Sequence, residues 1–208
     1  MASPVYRGVK RGADAVVAAA CLAVLSPVVG AAAWAVRRSM GSPVLYKQVR
    51  AGRDGVPFEV LKLRTMRALE PGEADFSDDA QRLTPLGSRL RDWSLDELPQ
   101  LVNVLRGDMS LVGPRPLPMI YVPRYSARQR RRLEVLPGIT GLAQVEGRNT
   151  LDWDERFEMD VWYVEHQSFR LDLSILLRTA SRVVTRHGIS AEGAATMREF
   201  NPALNGSG

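Results

Sequence analysis

A run of 22 residues without a charge, from Ala15 to Val36, most constrains what this chain can fold into. About 20 apolar residues suffice for a helix to cross the hydrocarbon core of a bilayer. Basic residues flank the run on both sides (Arg7, Lys10, Arg11, Arg37 and Arg38). A spanning helix normally keeps its positive flank on the cytoplasmic side alone. The two basic flanks therefore favour a membrane helix whose ends lie on the same side.

Ser26 and Pro27 lie near the middle of this run. Proline removes an amide donor and clashes with the preceding turn, so it kinks or breaks a helix. The carbonyl that it leaves unpaired needs a partner inside the membrane, and the Ser26 hydroxyl can supply one. We therefore predict a broken, re-entrant membrane helix over residues 1–38. A kinked spanning helix is the alternative.

Residues 39–208 are predicted to form a cytoplasmic or interfacial catalytic domain, which makes the fold class α+β. Val44 to Met66 indicate a β-hairpin with its turn at residues 52–55. Helices are expected near four places: from Ser94, from Met119 through the basic run 128–132, over 153–167 and over 172–187. The last has one apolar face, which is typical of an interfacial helix and equally of a helix packed on a soluble core.

Charge and cysteine content limit the kind of partner and compartment. The net charge is +5, a balance that suits nucleic acid, anionic lipid or a phosphorylated small molecule. Cys21 is the only cysteine in the sequence, which excludes an internal disulfide and a cysteine-based zinc site. A lone cysteine also fits a reducing compartment.

The stretch 91–116, "RDWSLDELPQLVNVLRGDMSLVGPRP", carries the most chemical information. Ser94 and Glu97 have the spacing of a capping box, which would place Asp96 at the positive end of a helix dipole and keep it ionised. Such an aspartate can be a nucleophile or a Mg²⁺ ligand. Alternatively, both acids merely cap the helix. Pro99 prefers a first turn and can move the helix start to a later residue.

Features that bind phosphate surround the acid pair in the sequence. "KLRTM" (62–66) supplies two cations and a hydroxyl, "GPRP" (113–116) holds Arg115 between prolines, and "EGRNT" (146–150) offers Arg148. Each alone is usually a solvated surface charge. Together with paired carboxylates and a membrane segment, they indicate chemistry on a phosphate at a bilayer surface.

These motifs resemble those of a known family. "SLDELPQLVNVLRGDMSLVGPRPL", "KLRTM" and "PGITGLAQVEGRN" are closely similar to the bacterial sugar transferases, the monotopic phosphoglycosyl transferases. The resemblance runs from about Tyr6 to Asn201. With a single apolar segment, the chain resembles the small PglC-like type, and "GISAEGAATMREFN" near the C-terminus looks like the same branch.

The resemblance implies a reaction and a set of site residues. Asp96 matches a nucleophile that attacks the sugar-bearing phosphate of a UDP-sugar and expels UMP, and Glu97 matches its dyad partner. Polyprenyl (undecaprenyl) phosphate then takes the phosphosugar from the enzyme. The implied substrate-binding residues are basic or hydroxyl side chains (Lys62, Arg64, Thr65, Arg91, Arg115 and Arg148). Mg²⁺ is the implied cofactor, with Asp96 as a ligand, and Ser26 and Pro27 match the re-entrant break.

The same resemblance implies a place in the cell. The enzyme would lie on the cytoplasmic face of the bacterial inner membrane and catalyse the first membrane step of surface glycan or glycoprotein assembly. The C-terminal motif favours a UDP-linked N-acetylamino sugar. The alternative function is a non-catalytic adaptor whose basic surface binds anionic lipid. Nucleic-acid binding is not expected, because the basic run 128–132 lies in no recognised binding motif.

Overall fold

The computed structural model describes residues 3–68, 79–147, 151–185 and 200. Eight α-helices lie in these residues: α1 Pro4–Met40, α2 Asp79–Arg82, α3 Pro85–Asp92, α4 Gln100–Arg106, α5 Ala127–Arg130, α6 Leu142–Glu146, α7 Trp153–Glu165 and α8 Phe169–Thr185. The four strands in the same residues are β1 Leu45–Ala51, β2 Pro57–Leu63, β3 Ser110–Val112 and β4 Gly138–Thr140. The predicted mixed helix and sheet composition is confirmed.

The predicted hairpin is confirmed, with strands β1 and β2 antiparallel. Tyr46 lies opposite Lys62, and Gln48 lies opposite Val60. The turn contains Asp54 at φ 58° and Gly55 at φ 77°, the left-handed conformation that aspartate and glycine tolerate best. Because side chains alternate along a strand, Tyr46, Gln48 and Arg50 share one face with Lys62. That face points to the site described below.

Helix α1 continues through Ser26 and Pro27, so the predicted break does not interrupt it. The reason is visible at the proline: its missing amide leaves the Ala23 carbonyl without a helical donor, and the Ser26 hydroxyl donates to that carbonyl at 2.9 Å. The predicted role of the serine is therefore confirmed. The re-entrant path through a membrane stays a prediction. Within the described residues, α1 is the one helix long and apolar enough to cross a bilayer.

Helix α1 packs on the rest of the chain at both of its ends. Near its start, Ala18 is fully buried beside Leu101 and Val104 of α4. Near its end, Val36 is fully buried beside Leu63 of β2 and Leu90 of α3. In the most apolar 18-residue stretch of α1, only 11% of the residues are buried. Large apolar side chains are exposed along the helix (Val5, Val9, Val16, Val24, Val28 and Trp34).

A buried polar cluster ties the start of α1 to the domain. Lys10 Nζ donates to Asp172 of α8 at 2.7 Å, and the hydroxyls of Tyr6 and Tyr163 reach the same carboxylate at 3.0 and 2.7 Å. Asp14 lies 3.4 Å from Lys10 and accepts from the Ser110 hydroxyl at 2.6 Å. Buried charges persist only when they are paired and hydrogen-bonded. This cluster therefore fixes where α1 lies on the domain.

A parallel pair of short strands, β3 and β4, was not predicted from the sequence. The strands approach so closely that a Cβ on Gly138 would lie 2.1 Å from the Gly113 amide nitrogen. Only glycine fits there, and the motif "PGITG" (137–141) contains strand β4. Strand β3 leads directly into Pro114 and Arg115.

The remaining helix predictions are partly confirmed. Helices α7 and α8 lie where expected, but no single helix runs from Met119 through the basic run. Pro123 allows only a 3₁₀ turn over Met119–Arg124, and Ser126 then caps the separate helix α5. The C-terminal motif, Phe200 excepted, lies outside the described residues.

Candidate active site

The acid pair lies in a 3₁₀ turn, Leu95–Glu97, that precedes helix α4. The predicted capping box is wrong: Ser94 has φ 53° and its side chain makes no capping hydrogen bond. Pro99 instead starts the helix, since α4 begins at Gln100. Asp96 is therefore not held at a helix N-terminus, and its environment comes from tertiary packing.

Asp96 is a buried carboxylate, with 6% of its surface exposed. Within the described residues, no side chain or amide forms a hydrogen bond or ion pair with it. Burial, followed by the neighbouring Glu97 charge, raises the pKa of Asp96 to about 6, although Lys62, Arg91 and Arg115 act in the opposite direction. At pH 7 the carboxylate still predominates by about tenfold. The group combines negative charge with unused acceptor capacity.

Glu97 contacts two cations through one oxygen. Lys62 Nζ donates to Glu97 Oε1 at 2.6 Å, and an Arg115 guanidinium nitrogen donates to the same oxygen at 2.9 Å. Burial alone would raise the pKa of Glu97, but Arg115 and Lys62 override it and hold that pKa well below its ordinary value. Glu97 thus stays ionised and positions both cations beside Asp96.

Thr65 and Arg91 are brought together next to the pair. The Arg91 Nε donates to the Thr65 hydroxyl at 3.1 Å, and Arg91 lies close enough to lower the pKa of Asp96. Helix α3 approaches the end of β2 so tightly that a Cβ on Gly87 would lie 1.9 Å from the Thr65 carbonyl oxygen. The glycine thereby lets α3 present Arg91 to the site.

Two predicted substrate-binding residues are not seen at the dyad. Arg64 donates to the carbonyls of Met40, Gly41 and Ser42, so its guanidinium satisfies the end of α1. Strand β2 ends at Leu63, so alternation along the strand does not carry Arg64 to the face that Lys62 occupies. Arg148 lies outside the described residues.

A buried ion pair supports Arg115 from behind, and sequence reasoning missed it. Arg132 donates to Asp160 of α7 at 2.7 Å and to the Arg115 carbonyl at 2.7 Å. The available signal was weak, because Arg132 belongs to a basic run whose other members look like surface charges. Arg128 and Arg131 do lie near the surface, paired with carboxylates on α7 or nearby (Glu134, Glu158 and Glu165).

Two cavities adjoin the acid pair. The larger, about 140 Å³, is lined by Glu97 and by mostly apolar side chains with polar edges (Ser94, Leu98, Leu101, Ile139, Thr140, Gln144, Thr179 and Val183). The smaller, about 50 Å³, is lined by both cations that bind Glu97 and by polar and apolar side chains (Tyr46, Gln48, Arg50, Val60, Gln100, Pro116 and Leu117). Glu97 lines the larger cavity and contacts Lys62 and Arg115, which line the smaller one.

The donor set fits Mg²⁺ bound together with a phosphorylated substrate. Within the described residues there is no group of three or more His, Cys, Asp or Glu side chains able to hold a metal. Mg²⁺ commonly takes one or two carboxylates and completes its shell with substrate phosphates and water. Asp96, with no hydrogen bond from the described residues, provides one such carboxylate, and Glu97 has one oxygen not used by its cations.

Comparison with known proteins gives close relatives. The uncharacterized sugar transferase EpsL of Bacillus subtilis is 51% identical over 165 residues, which cover 79% of this chain and 82% of that protein. The UDP-glucose:undecaprenyl-phosphate glucose-1-phosphate transferase of Caulobacter vibrioides is 44% identical over 188 residues, covering 85% and 70%. The undecaprenyl-phosphate galactose phosphotransferase of Salmonella typhimurium is 39% identical over 199 residues, covering 88% of this chain and 42% of that protein.

The family model of the bacterial sugar transferases matches residues 5–186, which include α1 from its second residue, the hairpin, the acid pair, the Arg115 turn and all of α8. The match therefore extends over the long apolar helix as well as the site. On this span, and on the identity of the relatives, the chain belongs to the bacterial sugar transferase family.

Proposed function

We propose that this protein transfers a sugar 1-phosphate from a UDP-sugar to undecaprenyl phosphate, giving undecaprenyl diphosphate-sugar and UMP. The observation that carries the proposal is Asp96: a buried carboxylate that accepts no hydrogen bond from the described residues and lies among three cations. A carboxylate buried only for structure would use its oxygens in hydrogen bonds. The activities for which two relatives are named support the same reaction.

Two displacements at phosphorus account for the reaction. In the first, an Asp96 oxygen attacks the phosphorus that bears the sugar, the bond to the UMP oxygen breaks, and UMP leaves with that electron pair. In the second, an oxygen of undecaprenyl phosphate attacks the same phosphorus, and the bond to Asp96 breaks to restore the carboxylate. The two steps let one site handle a soluble and a lipid substrate in turn.

The surrounding residues stabilise charge in both steps. Arg115 and Arg91 lie where they can meet the phosphoryl oxygens, and Lys62 can do the same from its contact with Glu97. Phosphoryl transfer depends mainly on such charge stabilisation and on in-line placement. Bound Mg²⁺, held by Asp96 and a Glu97 oxygen, would neutralise phosphate charge.

The sugar is proposed only as a UDP-linked hexose or hexose derivative. The C-terminal motif favours an N-acetylamino sugar, whereas the names of two relatives specify glucose and galactose. The proposed place of the reaction is the first membrane step of surface glycan or glycoprotein assembly. In that position the lipid-linked product serves as the substrate of further glycosyl transferases.

UMP release tests the function directly. Purified protein in undecaprenyl phosphate-containing nanodiscs with Mg²⁺ is incubated with UDP-glucose, UDP-galactose, UDP-N-acetylglucosamine and a UDP-diacetamido sugar in turn. We expect at least one donor to give UMP and an equal amount of lipid-linked sugar. A UMP signal without lipid product would indicate hydrolysis, and no UMP from any of these donors would overturn the proposal.

We propose that α1 is re-entrant and that the protein lies on the cytoplasmic face of the inner membrane. Both ends of α1 contact the same domain, through Lys10 and Val36, while large apolar side chains between them are exposed. A helix that crossed the bilayer would have one end on the far side of a hydrocarbon core about 30 Å thick, where it could not contact a domain on the near side. Leu173 and Leu177 of α8 are also exposed, and these apolar side chains support an interfacial role for that helix.

Cysteine labelling checks the placement of α1. We expect Ser3→Cys, in a Cys21→Ala background, to resist a membrane-impermeant thiol reagent in intact cells and to react after lysis, because residue 3 and the domain would share the cytoplasmic side. Arg53→Cys, on the exposed hairpin turn, is the matched control for the domain. Labelling of position 3 in intact cells with position 53 protected would demonstrate a spanning helix.

A further inference from the structure

Arg50 has no role in the chemistry described so far, yet its guanidinium lines the smaller cavity beside the acid pair. It projects from β1 on the face shared with Gln48, and the cavity's other cations are Lys62 and Arg115. At about 50 Å³ the cavity exceeds the roughly 15 Å³ needed for one water molecule, so it can admit a group of several atoms.

The partners of Arg50 are unusual for a half-buried arginine. Two of its nitrogens, Nε and an Nη, donate to the neutral Gln48 Oε1. No carboxylate among the described residues forms an ion pair with it. By contrast, the buried Arg132 has Asp160. A cation taken out of water without an anion is unfavourable, which indicates that the anion arrives with a ligand.

The electrostatics of the surroundings agree with this interpretation. Burial, and then the nearby Arg115 charge, lower the pKa of Arg50 to about 10. Among the described residues, the three cations that line the smaller cavity (Arg50, Lys62 and Arg115) have one carboxylate partner, Glu97, which leaves an excess of two positive charges. A site with this excess is complete only when a polyanion is bound.

We propose that Arg50, held by Gln48 and facing Arg115, forms a subsite that binds the phosphoryl oxygens of a substrate. Its planar fork can give an oxygen two-point contact, while its Gln48 bonds fix the fork's direction. Arg50 binds and does not enter the bond-making steps. The bound phosphate would belong either to the nucleotide diphosphate or to undecaprenyl phosphate, and this assignment rests on the proposed function. The presence of an anion site does not depend on that function.

Binding of inorganic pyrophosphate tests the subsite without any turnover. Thermal unfolding is followed for wild type, Arg50→Gln and the control Arg53→Gln, which changes an exposed arginine of the same hairpin. We expect pyrophosphate to raise the unfolding midpoint of wild type and of the control, with at least a tenfold weaker apparent affinity in Arg50→Gln. Equal stabilisation of all three proteins, or no stabilisation of wild type, overturns the proposal.

The ligand-free midpoints separate binding from a structural role. Because Arg50 has no carboxylate partner among the described residues and lies near the cation Arg115, we expect Arg50→Gln to unfold at the same or a higher temperature than wild type. A purely structural arginine would give a lower midpoint, and that result overturns the proposal. Arg50→Lys, which keeps the charge and lacks the fork, should restore part of the pyrophosphate affinity.

Steady-state UMP release then identifies the phosphate. A KM for the UDP-sugar raised about 10- to 100-fold in Arg50→Gln assigns the subsite to the nucleotide diphosphate, and a KM for undecaprenyl phosphate raised by that factor assigns it to the lipid. The control Arg53→Gln should leave both KM values unchanged. If wild type releases UMP and Arg50→Gln keeps both KM values unchanged, the subsite is overturned. The proposed function then still stands.

Discussion

Asp96→Asn should abolish sugar-phosphate transfer, lowering UMP release by about 10⁴-fold or more, the scale expected when a nucleophile is removed. Asparagine has nearly the same shape but is a poor nucleophile and carries no charge. Because Asp96 accepts no hydrogen bond from the described residues and burial disfavours its charged form, the folded state should be as stable as wild type or slightly more so. The measurement is UMP release alongside thermal unfolding.

Asp54→Asn is the matched control for this substitution. Asp54 lies on the exposed hairpin turn at φ 58°, where asparagine is well tolerated, so full activity is expected. With UDP-sugar and no lipid acceptor, wild type should also gain the mass of one sugar phosphate on the peptide containing Asp96. Turnover of Asp96→Asn within tenfold of wild type, or a label on another peptide, would remove Asp96 from the role of nucleophile.

The pH profile of the first step follows from the same residue. The pKa of Asp96 is raised from 3.8 to about 6, so its nucleophilic form is lost as the pH falls through that value. Glu97 has a lowered pKa and stays ionised throughout this range. We therefore expect single-turnover UMP formation to fall along one acid limb near pH 6. A rate unchanged down to about pH 5 would contradict the raised pKa.

Asp172→Ala should have the largest effect on stability, lowering the free energy of unfolding by about 3–5 kcal/mol. The substitution removes the acceptor shared by Lys10, Tyr6 and Tyr163. Lys10 is then left buried, with Asp14 at 3.4 Å as its one carboxylate neighbour among the described residues. Since the cluster holds the start of α1, increased protease access to α1 is expected as well. Denaturant unfolding in detergent micelles measures the first effect and limited proteolysis the second.

Glu158→Ala supplies the comparison for Asp172→Ala. Glu158 also accepts from a cation, Arg128 at 2.7 Å, but both side chains are more than half exposed. Solvent and salt screen such a pair, so its removal should change stability by less than about 1 kcal/mol. If the two variants were equally stable, the cluster at the start of α1 would not be the anchor that its geometry indicates.

The sequence alone determined the features that depend on neighbours along the chain. The hairpin followed from alternation and from an Asp-Gly turn, which are local properties. The link between Ser26 and Pro27 followed likewise, because a proline frees the carbonyl four residues before it and a serine beside it can reach that carbonyl. The acid pair was identified by its motifs, and Lys62, Arg91 and Arg115 do meet around it.

Only the tertiary structure decided what each charged side chain does. Lys62 and Arg64 are two residues apart in one motif. Lys62 binds Glu97, whereas Arg64 donates to backbone carbonyls at the end of α1. Arg132 and Arg128 belong to one basic run, but one is buried under Arg115 and the other is exposed. The raised pKa of Asp96 and the isolation of Arg50 likewise come from segments distant in sequence. Burial and charge pairing depend on which segments meet in space, and a linear pattern does not contain that information.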